Sequence, residues 1–233
     1  VQEKIIAEIE ALEQKEKAGR EKVESLSSQK NETINNLVSN SGTTSISKIG
    51  VVKGGKRVPK GYKLLSASTD YPYIRVSDFK NGSVDLSNLK YIDESTFNKI
   101  SRYTINSDEV YISIAGTIGL VGTVPKELNG KSLTENAAKI VIADKTKFDY
   151  KFLYYALTSN FAQSQIEERT KAVGVPKLAI KRIETIQVPL INIEDQKKIV
   201  AEFEKLETEI AQIESELATM DEQKEQILKK HLE

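Results

Sequence analysis

The sequence predicts an α+β fold in which a mainly antiparallel, curved or barrel-like sheet domain is joined to a long antiparallel two-helix coiled-coil stalk. Both ends of the chain carry apolar residues at helical spacing, and the middle holds short runs of β-branched and aromatic residues. The charge also differs between ends and middle. We therefore expect a first helix over residues 1–40, a central domain over 41–191 and a second helix over 192–233.

The two predicted helices resemble each other in sequence. A shift of 194 residues aligns Gln2 with Gln196 and gives ten identities over 37 ungapped positions. Apolar residues of the second copy alternate at spacings of four and three, which is typical of a coiled-coil seam, interrupted only by Lys224. We expect this seam to form the stalk or a partner interface; its residues are Ile199, Phe203, Leu206, Ile210, Ile213, Leu217 and Met220. The first copy places Glu16 and Gly19 at its centre, which predicts a weaker helix that needs its partner and a seam that is partly uncovered beside these two residues.

The second helix has a clear start signal. Pro189 precedes it, and Asn192 and Asp195 have the spacing of an N-cap and its third helical residue. Because both helices join the same central domain, we expect them to lie side by side and antiparallel. The alternative is that each helix packs separately against the central domain.

The central domain contains more predicted strands than helices. The predicted strands are Tyr71–Val76, Glu109–Ala115, Ile118–Val124, Ala138–Ala143 and Thr185–Leu190. A long helix is predicted from an Asp149 cap through residues 150–169, with short helices over 94–100 and 177–183. Short connections between many strands favour an α+β domain over an alternating α/β fold.

Composition and charge restrict the classes of function. The net charge is zero, but residues 39–191 hold 22 basic and 14 acidic side chains, so the middle is basic and both ends are acidic. This favours a nucleic-acid partner for the middle, although the surplus could also serve solubility alone. The absence of cysteine excludes disulfides and thiol chemistry, and the only histidine is His231. No apolar run approaches membrane-spanning length, so we expect a cytoplasmic protein without membrane contact.

A glycine-rich stretch near the start of the central domain suggests phosphate binding. Residues Gly50–Gly61, GVVKGGKRVPKG, have the G-x-x-x-x-G-K spacing of a P-loop. A P-loop needs Ser or Thr after the lysine and a helix beginning there, whereas Arg57 follows Lys56 and Pro59 disfavours a helix. With no acidic residue over 33–69, we interpret the stretch as a loop that binds a polyanion backbone.

No catalytic, metal or cofactor constellation is recognisable. Gly116, Gly119 and Gly122 fit a turn between two strands better than a dinucleotide-binding loop. The candidate DNA-binding residues are Lys53, Lys56, Arg57, Lys60, Lys63, Arg75, Ser113, Thr117, Asn136, Arg169, Lys171 and Lys177. Arg75 could instead pair with Asp78, and Asn136 could be a turn residue.

The order of several motifs resembles a known family. They are GGKRVPKG, YPYIRVSDF, ISIAGTIGLVG, LTENAAKI, FLYYAL, GVPKLAIKRIETIQVPL and EDQKKIVAEFEKLE. Together they resemble a target recognition domain and the following conserved helix of a type I restriction-modification specificity subunit. The order of helix, domain and helix resembles the C-terminal half of such a subunit, or a natural half-subunit.

The resemblance implies a role and a set of partners. The chain would be a non-catalytic subunit that reads one half of a bipartite site in double-stranded DNA. Its helices would dock methyltransferase subunits, and a restriction subunit would join through the complex. A homodimer formed along the stalk would supply a second recognition domain. The alternatives are a coiled-coil adaptor whose domain binds protein and, less well supported, a nucleotide-using enzyme.

Overall fold

The computed structural model describes residues 2–170 and 176–232. Its helices are α1 Gln2–Ser41, α2 Ile46–Ile49, α3 Glu94–Ile100, α4 Tyr150–Thr158, α5 Asn160–Thr170, α6 Ile180–Ile183, α7 Ile193–Ala218 and α8 Met220–Leu232. Its strands are β1 Thr43–Ser45, β2 Gly50–Gly54, β3 Pro72–Ile74, β4 Phe79–Lys80, β5 Ser83–Val84, β6 Lys90–Tyr91, β7 Thr104–Ile105, β8 Val110–Ser113, β9 Val121–Thr123, β10 Lys131–Leu133, β11 Ala137–Ile142 and β12 Gln187–Pro189. Within the described residues no helix is both long and apolar enough to cross a membrane.

Contacts within the chain define two compact units. One, which we call the helical pair, consists of residues 1–33 and 199–233, and the other, the mixed unit, of residues 34–198. The boundary between the units falls inside α1 and α7. Helix α1 ends at Ser41, one residue after the predicted limit, and α7 begins at Ile193, one residue after the predicted start.

The helical pair is antiparallel, as predicted. Going along α1, the partner positions on α7 and α8 move backwards in sequence: Glu16 contacts Lys224 at 2.7 Å, and Lys30 contacts Glu207 at 3.2 Å. Of the seam residues, Phe203 and Met220 are buried, and the others are half-buried. The pair therefore covers its own seam, as an amphipathic helix requires.

The centre of α1 is covered by the second helix. Glu16 and Lys224, the polar residues that interrupt the two apolar stripes, form an ion pair with each other. At Gly19 an added Cβ would lie 3.0 Å from Leu217 Cδ2 and 3.4 Å from Ile213 Cγ2. The glycine thus allows close packing of the helices, and the expected uncovered seam at these positions is wrong.

The second predicted helix starts as expected but is interrupted. The side chain of Asn192 accepts the N–H of Asp195 at 2.9 Å, which confirms the predicted cap. The helix divides at Thr219, between α7 and α8. The Thr219 hydroxyl donates to the carbonyl of Glu216 at 2.9 Å, and such local side-chain bonds compete with regular helix hydrogen bonding.

The mixed unit contains two four-stranded sheets rather than one. Their orders are β2-β11-β8-β9 and β6-β3-β10-β7, and every pairing is antiparallel except β3 with β10. Two further pairs, β1 with β12 and β4 with β5, complete the described strands. The α+β prediction with mainly antiparallel strands is confirmed. The five predicted strands correspond to β3, β8, β9, β11 and β12, whereas the other seven strands of the described residues were not predicted.

The predicted long helix after Asp149 is also two helices. The Asp149 side chain accepts the N–H groups of Lys151 and Phe152, so the predicted cap is confirmed. The helix breaks at Ser159, whose hydroxyl donates to the carbonyl of Ala156 at 2.6 Å. The short helix predicted over 94–100 is confirmed as α3.

A compact core fixes the strands that carry the candidate site. Ile74, Ile105, Tyr111 and Leu133, from four different strands, are at most 1% exposed and pack in one cluster. Each such side chain contributes about 1.5–3 kcal/mol through burial. The ends of β3 and β10 are therefore anchored by side chains that are buried in the core.

Candidate nucleic-acid interface

Strand ends from both four-stranded sheets meet at one surface. β2 ends at Gly54, opposite Ala138 at the start of β11. β3 and β10 are parallel and finish together, with Ile74 beside Leu133. The end of β8 joins them, because Ile114 donates its N–H to the carbonyl of Asn136. We call the surface formed by residues 55–63, 75–77, 114–117 and 134–136 the loop edge.

The glycine-rich stretch is divided between a strand and a tightly held loop. Residues 50–54 form β2, which corrects the prediction of a loop over the whole stretch. Gly55 and Lys56 donate their N–H groups to the carbonyls of Ala137 and Leu133, both at 2.9 Å. A Cβ at Gly55 would lie 2.0 Å from the carbonyl oxygen of Thr134, so only glycine fits there. No helix begins at Lys56, which confirms that this is not a P-loop.

The loop edge contains a cleft of about 490 Å³. Three of the predicted residues, Arg57, Arg75 and Asn136, line it together with Tyr73 and Glu135. Arg57 and Asn136, which are 79 positions apart in the sequence, are thus brought to one cleft by the convergence of β2, β3, β10 and β11.

An ordered polar network crosses the cleft. Arg57 Nε donates to Glu135 Oε1 at 2.5 Å. Glu135 Oε2 lies 3.0 Å from the hydroxyl of Thr134 and 3.2 Å from that of Tyr73. The Tyr73 hydroxyl also lies 2.7 Å from the carbonyl oxygen of Lys56. Sequence reasoning missed Glu135 and Tyr73, although Glu135 is adjacent to the chosen Asn136, because an acidic residue argues against DNA contact when its partner is unknown.

The electrostatics of this network keep both charges in place. Burial by itself raises the pKa of Glu135, but the hydrogen bonds from Arg57 and neighbouring groups outweigh it, so the pKa is lowered overall. The hydrogen bond and charge of Glu135 raise the pKa of Arg57. Burial raises the pKa of Tyr73 to about 12, so its hydroxyl remains a neutral donor.

Four exposed lysines lie close in sequence to residues that line this cleft, and their charges are unpaired. Lys53, Lys56, Lys60 and Lys63 are exposed, and none forms an ion pair with another described residue. The ammonium nitrogen of Lys56 lies 5.5 Å from the centre of the Tyr103 ring, a cation-π distance. Free lysines on a surface are suited to phosphate contacts.

Arg75 makes the ion pair that the sequence left open. Its Nη2 lies 2.5 Å from Asp78 Oδ1 and 3.0 Å from the carbonyl of Asn88. Asp78 is only 4% exposed and also accepts the Arg75 backbone N–H. Arg75 therefore stabilises the turn after β3 while it lines the cleft, and two of its guanidinium nitrogens are already engaged.

Ser113 is not available to a ligand, which corrects its prediction as a base contact. Its side chain is fully buried, donates to the carbonyl of Thr117 at 2.6 Å and accepts the N–H of Leu120 at 2.8 Å. It holds the glycine-containing turn between β8 and β9, and that turn is confirmed in place of a dinucleotide loop. Thr117, at the turn itself, is exposed.

The remaining predicted residues have different environments. All three guanidinium nitrogens of Arg169 are bonded, to Thr185 and to the carbonyl of Gln165, so Arg169 holds α5 to the segment before β12. Lys177 is exposed and adjoins the loop edge, because the next residue, Leu178, donates its N–H to the carbonyl of Ile114. Lys171 lies outside the described residues.

Comparison with known proteins places this chain in a family. A family model described as "Type I restriction modification DNA specificity domain" matches residues 39–219. The chain belongs to this specificity-domain family. It is similar to the type I restriction enzyme EcoBI specificity subunit of Escherichia coli, with 30% identity over 162 residues that cover 67% of this chain and 31% of that protein.

Solved specificity subunits share the fold. The HsdS subunit from Thermoanaerobacter tengcongensis matches with a TM-score of 0.61 and 16% identity over 98% of this chain. The type I S subunit from M. genitalium matches with a TM-score of 0.58 and 18% identity over 97% of this chain. This chain covers 57% of each solved chain, so it spans little more than half of their length.

Proposed function

We propose that the mixed unit reads one half of a bipartite site in double-stranded DNA, as the specificity component of a type I restriction-modification system. The loop edge carries this recognition. Methylation and cleavage would be performed by other chains, so this chain would contribute sequence choice and no catalytic group. Residues 41–191 would form the recognition domain, and residues 1–40 and 192–233 the two conserved helices.

The observation that supports the proposal most strongly is the set of exposed lysines beside a polar cleft. Lys53, Lys56, Lys60 and Lys63 supply charge for phosphate contacts, which fix the position of a protein on a duplex. Arg57 and Asn136 in the cleft are side chains of the types that read base edges. Phosphate contacts and base readout are thus available side by side.

The helical pair is proposed to bind the methyltransferase subunits, with the restriction subunit joining through the complex. Residues 192–230 hold 6 basic and 11 acidic side chains, which makes this surface unsuited to DNA. A protein partner would fit an acidic helical surface better.

The proposal predicts a salt-dependent affinity for duplex DNA that depends on the lysines of the loop. Replacing Lys56 and Lys60 together by Ala should weaken binding, and the slope of log affinity against log salt should decrease by about 1 for each lost phosphate contact. The measurement is a fluorescence-anisotropy titration of a labelled duplex at several salt concentrations.

A matched control removes the same charge elsewhere. Lys145 and Lys147 follow β11 at its opposite end and pair with Asp108 and Asp144. Replacing both by Ala should leave the salt slope unchanged. If the two double variants behave alike, the loop edge is not the DNA surface, and if the unmodified chain shows no salt-dependent binding, the adaptor hypothesis is favoured.

A further inference from the structure

We propose that Glu135 is a positioning residue that holds Arg57 so that its two terminal nitrogens read a guanine in the major groove. This inference rests on the proposed function and assigns one specificity-determining contact within it. The Arg57–Glu135 contact, buttressed by Tyr73, is the arrangement that carries it.

The hydrogen bonds of Arg57 leave one edge of its guanidinium free. Only Nε is bonded, to Glu135, and within the described residues Nη1 and Nη2 have no partner. The Arg57 side chain is 77% exposed, whereas that of Glu135 is 26% exposed. The carboxylate therefore holds the inner side of the guanidinium, while the outer N–H groups face solvent.

Glu135 is itself held in place from behind. Its Oε2 lies within hydrogen-bond distance of Thr134 and Tyr73, and Tyr73 is only 3% exposed. The backbone on either side is also fixed, because Lys56 donates its N–H to the carbonyl of Leu133 at 2.9 Å. Arg57 thus loses side-chain freedom before any ligand arrives, which lowers the entropic cost of binding.

The free edge of Arg57 matches the two acceptors that guanine presents. Guanine presents O6 and N7 as two acceptors in the major groove, and the commonest specific contact to it is a bidentate arginine. A lysine cannot reproduce this planar pair of donors. A carboxylate beside a phosphate-binding surface repels DNA in general, so Glu135 favours binding only where it improves the geometry of Arg57.

Selection of bound duplexes from a random pool tests this assignment. The intact chain should enrich guanine at one position of the selected duplexes. Arg57→Lys keeps the charge but loses the fork, and should reduce the preference for guanine at that position on the order of tenfold or more, with other positions unchanged. Because Arg57 is exposed, this variant should fold normally, which thermal unfolding verifies.

Glu135→Gln separates positioning from simple repulsion. If Glu135 positions Arg57, affinity for the selected duplex should fall, whereas affinity for an unrelated duplex should stay or rise because a negative charge is lost. If Glu135 only repels DNA, both affinities should rise equally, which would overturn the inference. Tyr73→Phe removes the buttress and should shift the preference in the same direction as Glu135→Gln.

A control variant and the unmodified chain complete the experiment. Lys63→Ala should lower affinity for all duplexes alike, without altering base preference. Unchanged guanine preference in Arg57→Lys or Glu135→Gln would reject the inference while leaving the proposed function intact. Absence of salt-dependent binding or of any sequence preference by the unmodified chain would reject the proposed function itself, and this inference with it.

Discussion

At the residue scale, the mixed unit contains a buried ion pair that the sequence did not indicate. Lys139 Nζ lies 2.7 Å from Glu109 Oε2, and the two side chains are 10% and 6% exposed. The Glu109 carboxylate also accepts the backbone N–H of Asn106 at 2.7 Å. Lys139 lies in β11 opposite Tyr111 of β8, so the pair ties the start of β8 to its neighbour. Among the described residues Glu109 is the hydrogen-bond partner of the Lys139 ammonium group.

Breaking this pair should be costly. Lys139→Met leaves the Glu109 carboxylate buried without its counter-charge, and we expect the free energy of unfolding to decrease by about 3–5 kcal/mol. Urea denaturation followed by circular dichroism measures it. Lys181→Ala is the control: it breaks the pair of the exposed Lys181 with Glu184 and should change stability by about 1 kcal/mol or less. Equal effects of the two variants would show that burial of the pair is unimportant.

Among the secondary-structure elements, the two helices of the helical pair each carry one charged residue in an apolar stripe, and these two residues pair with each other. Glu16 interrupts the apolar stripe of α1, and Lys224 interrupts that of the second helix, yet the antiparallel alignment places them 2.7 Å apart. Their hydrogen bond lowers the pKa of Glu16 and raises that of Lys224, so both stay charged. A slip of the helices by one turn would separate them, and a single polar pair in an apolar seam is an established way to fix register.

This alignment predicts a specific outcome for charge reversal. Glu16→Lys and Lys224→Glu should each lower the melting temperature, because each places like charges together in the seam. The double reversal should recover part of the lost melting temperature. Recovery should be incomplete because Arg20 also contacts Glu16 and would then lie beside a lysine. Thermal unfolding of the four proteins forms the cycle. The same reversal of the exposed pair Lys17 and Glu21 should change the melting temperature little. If the coupling between the two substitutions is the same in both cycles, the Glu16–Lys224 pair has no role in fixing the register.

At the scale of the whole molecule, the remaining prediction is a homodimer formed along the helical pair. One reason for it is gone, because Glu16 and Gly19 are covered by residues of the second helix. What remains is that Ile6 and Leu228 of the helical pair are 54% and 42% exposed. A two-fold dimer would bury such residues and provide two recognition domains for an inverted-repeat site.

Sedimentation equilibrium tests the dimer. We expect a mass of twice 26.0 kDa at micromolar concentrations, which should fall to that of one chain when Ile6 and Leu228 are both replaced by Asp. Replacing the exposed Leu64 and Leu86 of the mixed unit by Asp is the matched control and should leave the mass unchanged. A mass of 26.0 kDa for the unmodified chain across the concentration range would reject the dimer.

Local sequence patterns predicted the long helical segments, five of the twelve strands in the described residues and the broad class of this protein. Helix caps at Asp149 and Asn192, the core of each predicted strand and the apolar repeat of the helical pair depend on near neighbours, so periodicity and capping patterns predicted them. The loop edge was indicated only by its basic residues. The geometry of the loop edge was not predicted, because the number of charged residues does not specify which carboxylate pairs with which basic side chain.

Only the packing of distant segments sets which polar groups far apart in the sequence meet. Arg57 and Glu135 are 78 positions apart, and Glu16 and Lys224 are 208 apart, so their pairing depends on sheet topology and helix alignment. Ser113, a plausible surface contact by type, is buried because its strand lies between β11 and β9. Propensity acts over a few residues, whereas burial and ion pairing are set by the packing of distant segments, which no local pattern of the sequence specifies.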